Sequence, residues 1–211
     1  MQPGTGDNSL ANLIVYYVHP GQRFSRAGAA MARAARGVEG ITFVDLYADY
    51  PRHNIDIDAE QARILAHDVI LFQFPLYWYS TPSLMKEWID LVLEHGFAYG
   101  AGGDKLKGKA MMLALTAAGP PEAYTPEGYQ HFPLRTFLTP LEQTATLCKM
   151  RFIAPYVLHG SIRAAESGAI APHAEGYARL LAALRDDTFD HDAAATRDIL
   201  THTDLPIRQE T

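Results

Sequence analysis

Five short runs of this chain are apolar at most positions: Leu13 to Val18, Ile41 to Asp45, Val69 to Phe74, Ala110 to Leu115 and Phe152 to Leu158. A strand with one wet face alternates apolar and polar residues, whereas a strand covered on both faces does not. Between the runs lie segments with helical spacing. Arg26 to Arg36 follows Ser25, a natural cap, and ends at Gly37. Asp58 is placed to cap a helix reaching His67, and Thr136 to Lys149 reads as another. Tyr177, Leu180, Leu181 and Leu184 mark the last. After Val69 to Phe74, Ser80 or Thr81 can cap a helix opening with Pro82, whose apolar stripe holds Leu84, Trp88 and Leu91. Strand and helix in turn predict a parallel sheet with helices on both faces.

Five strands favour an α/β, doubly wound sheet in the flavodoxin-like order 2-1-3-4-5, with Pro155 putting the last strand near an edge. Ligands of such sheets bind beyond the carboxyl ends of the strands, near the switch between the first and third. Three loops fall there: His19 to Ser25, Pro75 to Thr81, and Thr116 to Gly119. The first carries no GxGxxG or GxxxxGK[ST]. It does combine His19, Arg23, Ser25 and Arg26 with a helix start, which suits a phosphate. A capped helix with solvated arginines explains it equally well. In the second, Tyr77, Trp78 and Tyr79 follow a strand directly, a cluster hard to bury in one core and suited to a planar ligand or an interface. In the third, Thr116 combines a hydroxyl with small neighbours that let backbone approach a ligand, though an ordinary tight turn would look the same.

The long loop that follows holds Tyr124, Tyr129 and His131, residue types able to donate to a developing anion or to titrate near neutrality. Each alone is more readily a plain loop residue than a catalyst. The tail group Asp186, Asp187, Asp190, His191 and Asp192 has no HxxH or cysteine companion and reads as a solvated acidic face, so no metal site is expected.

A net charge of −6 argues against nucleic acid or a membrane surface as a bulk partner. No apolar run approaches the roughly 18 residues of a membrane-spanning helix, and no leader pattern opens the chain. One cysteine, Cys148, leaves no internal disulfide, so a cytoplasmic protein is expected. The layout expected is a disordered segment over 1–12, one flavodoxin-like domain over 13–185, and a loosely attached acidic tail over 186–211.

VYYVHPGQRFSRA, DVILFQFP, PLYWYSTPSLMKEWIDLVLEHGFAYG and LKGKAMMLALTAAG, in unbroken order, resemble the flavodoxin-like NAD(P)H:quinone oxidoreductases. Within them the ancillary proteins of glutathione-regulated potassium-efflux systems look most similar. The specific signature is W-[YF]-x-x-P-x-x-[LM]-K-x-W, here Trp78 to Trp88, leading to H-G-F-A-Y-G. The resemblance implies non-covalent FMN, with FAD as the alternative, at the three loops. It assigns cofactor contacts to His19, to Ser25, Arg26, Ala27 and Gly28, to Leu76, Tyr77, Trp78 and Tyr79, and to Thr116, Ala117, Ala118 and Gly119. The family's Thr-Thr-Gly-Gly turn is Thr-Ala-Ala-Gly here, which questions any positive φ at Ala118. Tyr124 and, one residue out of register, His131 fall on the family's catalytic pair. The implied activity is two-electron hydride transfer from NAD(P)H through the flavin to a quinone, in a homodimer. The alternative is a regulatory subunit of a membrane potassium-efflux transporter, held at the inner face of the membrane through it.

Overall fold

The computed structural model describes residues 11–21 and 25–208. Residues 1–10 of the expected disordered segment, and Arg23 of the first loop, lie outside the described residues. The elements are β1 (Leu13–Tyr17), α1 (Ala27–Arg36), β2 (Thr42–Asp45), α2 (Leu46–Asp49), α3 (Ile57–Leu65), β3 (Val69–Pro75) and α4 (Ser83–Val92). Then come β4 (Ala110–Thr116), α5 (Thr139–Leu147), β5 (Arg151–Phe152), β6 (Tyr156–Leu158), α6 (Ile170–Arg185) and α7 (His191–Ala195).

The sheet is parallel throughout and ordered β2-β1-β3-β4-β5, the order read from the sequence. The fifth run is broken in two, and β6 also pairs with β4. Met111 faces Phe152 and Ala114 faces Tyr156, so the outer strand carries one residue more than its partner. That extra residue falls at Ile153-Ala154-Pro155, a bulge where the missing proline N–H costs no ladder bond.

Strand residues feed two cores by alternation. Tyr16, Phe72, Leu113 and their neighbours face α3, α4 and α5, with Leu84, Met85, Trp88, Ile89 and Val92 buried along α4. Leu91, expected in that stripe, is exposed, being three positions round from Trp88 but on the rim. Val15, Leu71 and Met112 face α1 and α6. In the first core Glu60 is wholly buried, and its carboxylate accepts from Tyr16 Oη at 2.7 Å, Trp88 Nε1 at 2.9 Å, Tyr50 Oη at 2.7 Å and Arg63 Nη1 at 2.7 Å. Four donors make that buried charge tolerable.

The segment after Arg185 is not loosely attached. Phe189, Ala194 and Leu200 are buried in the second core. Val157 N–H donates to Leu200 O, and Leu200 N–H to Pro155 O, at 2.9 and 2.8 Å. The segment thereby covers the open edge of β6. At Gly176 of α6, a Cβ would lie 2.4 Å from His202 Cβ, so glycine is what lets this segment approach. Its acidic composition described the surface and concealed three apolar anchors spaced too widely to read as periodic.

Candidate active site

The carboxyl ends of β1, β3 and β4 open into one cleft of about 530 Å³, within the usual range for small-molecule sites. His19, Ser25, Arg26, Ala27 and Gly28 form one wall, Leu76 and Tyr77 the other, with Thr116 and Ala118 between them. Three segments far apart in sequence thus meet where the switch point of the sheet lies.

The first wall is a helix start without a lid. Among the described residues, no side chain caps α1; Ser25, expected to do so, does not. Among the described residues the first intrahelical bond is Ala30 N–H to Arg26 O, the helix-start arrangement whose earlier amides suit a ligand. Gly28 is packed closely enough that a Cβ would sit 2.6 Å from Ser25 Oγ and 3.3 Å from His19 Cδ2. His19 is buried, and burial holds its pKa below the ordinary 6.5. Its Nδ1 accepts from Gly21 N–H at 3.1 Å, which leaves the neutral ring's proton on Nε2 as a donor.

The second wall turns on strained backbone. Tyr77 and Ser80 exchange N–H···O bonds of 3.1 and 2.9 Å around Trp78 and Tyr79. Both central residues have positive φ, 47° and 63°. This is the type I′ arrangement that usually requires Asn-Gly. Tyr77 reaches the cleft and lies edge-on to His19, with centroids 6.0 Å apart. Trp78 instead projects outward, 90% exposed. Tyr79 packs on Phe137, 4.9 Å between centroids. Of the four turn residues expected at the ligand, the structure brings Leu76 and Tyr77 to the cleft and sends Trp78 and Tyr79 to its outer rim.

The turn after β4 needs no special backbone at its alanines. Ala118 is not among the positive-φ residues, so the departure from Thr-Thr-Gly-Gly is conformationally harmless. Ala117 is buried and exchanges backbone bonds with Leu158 and Ser161 rather than lining the cleft. Gly119 is closely approached: a Cβ would lie 2.7 Å from Tyr129 Oη and 3.2 Å from Tyr124 Cε2.

Tyr124 is buried against that turn, and burial raises its pKa while a hydrogen bond from the Gly119 backbone opposes the rise. It therefore stays a neutral O–H donor near pH 7. His131 is exposed at φ 61° on the loop. The histidine packed on Tyr124 is His159, with ring centroids 5.3 Å apart. Its Nδ1 is buried with no hydrogen-bond partner, and burial lowers its pKa. His159, Ser161 and Ile162 were missed from sequence. Their loop lies more than forty residues beyond the Thr116 turn, and a lone histidine after an edge strand carries no local signal. Ser161 and Ile162 complete the cleft lining. Among the described residues no group of His, Cys, Asp and Glu could hold a metal ion.

Residues 11–181 match the profile of the flavodoxin-like fold family. The chain belongs to that family. It is 42% identical over 175 residues to the glutathione-regulated potassium-efflux system ancillary protein KefG of Cronobacter sakazakii, covering 83% of this chain and 95% of that one. The general stress protein 14 of Treponema denticola, solved in complex with FMN, superposes with a TM-score of 0.73 at 33% identity. That match covers 83% of this chain and 98% of the other. An NADPH-quinone reductase of P. pentosaceus matches at 25% identity and a TM-score of 0.68, covering 83% and 96%. The resemblance drawn from the sequence to flavodoxin-like quinone oxidoreductases and efflux ancillary proteins is borne out by these relatives.

Proposed function

We propose that this protein is an FMN-dependent NAD(P)H:quinone oxidoreductase. The observation that carries the reading is the meeting of an uncapped helix start, a close-packed glycine and an aromatic turn in one cleft at the sheet's switch point. FMN fits these residues: the amides of Ala27 and Gly28 with Ser25 and Arg26 would hold its phosphate, and His19 Nε2 would donate nearby. Leu76, Tyr77, Thr116 and Ala118 would flank the ring system. When bound, the flavin supplies two-electron chemistry that no side chain here offers. The chain's own residues do the rest. Tyr124 holds a proton on Oη close to the Gly119 turn, and the His159 ring packs against it. His131 stands at the exposed loop, available to a substrate entering from outside. Exposed Trp78, Tyr129, Phe132 and Ile162 offer the apolar surface of a homodimer interface. The 33%-identical FMN complex supports FMN over FAD.

The test is direct. Purified protein should be yellow or become so with FMN, and should oxidise NADH or NADPH only when a benzoquinone is present. Colourless protein that binds neither FMN nor FAD would sink the reading.

The second reading is a regulatory role beside a potassium-efflux transporter, favoured by the KefG relatives, whose length is almost fully covered. No helix among the described residues is long and apolar enough to cross a membrane, so attachment would be through the partner. Failure to co-purify with a co-expressed efflux transporter would remove it.

A further inference from the structure

Strand β3 carries a polar side chain in its otherwise apolar run. Gln73 is 2% exposed, flanked by Tyr17 on β1 and Ala114 on β4. Its Nε2 donates 2.9 Å to the carbonyl of Gly28, forty-five residues away in the first turn of α1. Its Oε1 is buried with no hydrogen-bond partner. The space around it, bounded by Tyr17, His19, Gly28, Met31 and Thr116, is too tight for a water molecule. A half-satisfied buried amide costs stability that a leucine in the same place would not. Something other than packing therefore explains its presence.

We propose that Gln73 is a positioning residue that aims the first turn of α1 into the cleft. First-turn carbonyls of a helix point along the axis away from its N-terminus, while the free amides point the other way. Tying the Gly28 carbonyl to the sheet fixes the roll and tilt of that turn, and with it the direction of the amides of Ala27 and Gly28. The tie matters at this point because Gly28 has no side chain of its own to anchor it, and none would fit between Ser25 and His19. The inference rests on the flavin reading, and it locates Gln73's effect at the phosphate end of the ligand alone.

Riboflavin, which lacks the phosphate, separates the two ends. Dissociation constants for FMN and riboflavin would be measured by flavin fluorescence on the apo-form of the full chain and on Gln73→Leu. Gln73→Met, unbranched and of similar length, guards against a packing defect from the leucine. Wild type should prefer FMN over riboflavin. In both variants FMN should weaken about tenfold, as for loss of one buried hydrogen bond, while riboflavin shifts less than about twofold. Equal losses for both ligands, or no loss for FMN, would overturn the proposal. So would a wild type that binds riboflavin as tightly as FMN. A wild type that binds neither would instead bring down the flavin reading itself.

Discussion

Trp78 and Trp88 are ten residues apart in one motif and do opposite work. Trp88 is 1% exposed, packed edge-on to Phe72 and tilted against Tyr16, and donates to Glu60. Trp78 is almost fully in solvent and sits at φ 47°. An indole held in the left-handed region costs of order 1–3 kcal/mol and, being exposed, returns little in packing. Such strain persists where binding uses it. Trp78→Gly should therefore raise stability by about 1 kcal/mol in urea melts, yet weaken association of the homodimer in analytical ultracentrifugation. Trp88→Ala should cost about 3–5 kcal/mol. If Trp78→Gly leaves association untouched, the strained turn serves some other surface. The sequence could rank these two tryptophans by helical spacing, since Leu84, Met85 and Trp88 share a face. It could not show that the turn before them is left-handed, because nothing in Tyr-Trp-Tyr resembles the Asn-Gly that usually marks such backbone.

Elements were legible where periodicity was long, and their ends were not. Helix α3 is expected from sequence to start from Asp58, but Asp56 caps it, accepting from Ala59 N–H at 3.0 Å. The stretch N-I-D-I-D offers equivalent acceptors two residues apart, and no local pattern chooses between them. Asp56→Ala should cost about 1 kcal/mol, while Asp58→Ala, in the first turn, should cost no more than a few tenths through the helix dipole. Chemical denaturation of the two variants checks the order. Similarly, Thr136 to Lys149 divides into a 3-10 turn, Leu134–Leu138, and α5. Pro140 cannot donate into a continuous helix, so the α-helical bonds begin afresh around it. The 3-10 turn is what carries Phe137 to both Tyr79 and Tyr124. Thus a boundary that sequence blurred is the one that joins the aromatic rim to the candidate donor.

At the scale of the whole molecule, the C-terminal segment adds a titratable layer to the second core. His173 of α6 is 1% exposed, stacked on Tyr156 at 4.2 Å, and edge-on to His202 of the covering segment. Burial, with His202 and His159 adding in the same direction, lowers its pKa to about 3 from 6.5. Between those values the unfolded chain binds a proton at this position and the folded chain does not. Stability therefore is full above about pH 6.5 and falls as the solution is acidified, by about 1.4 kcal/mol per pH unit for this one group. His19, His159 and His191, also depressed by burial, tilt the curve the same way. His173→Phe keeps the stacked ring and removes both the proton and the unpartnered Nε2. It should leave stability at pH 7.5 within about 1 kcal/mol of wild type, because the ring no longer needs a hydrogen bond while the larger phenyl must fit the same space. Over pH 6 to 4 it should lower the slope of unfolding free energy against pH by close to one proton's worth. Urea melts across that range decide the matter. An unchanged slope would mean that His173 gains a proton as readily in the folded chain as in the unfolded one.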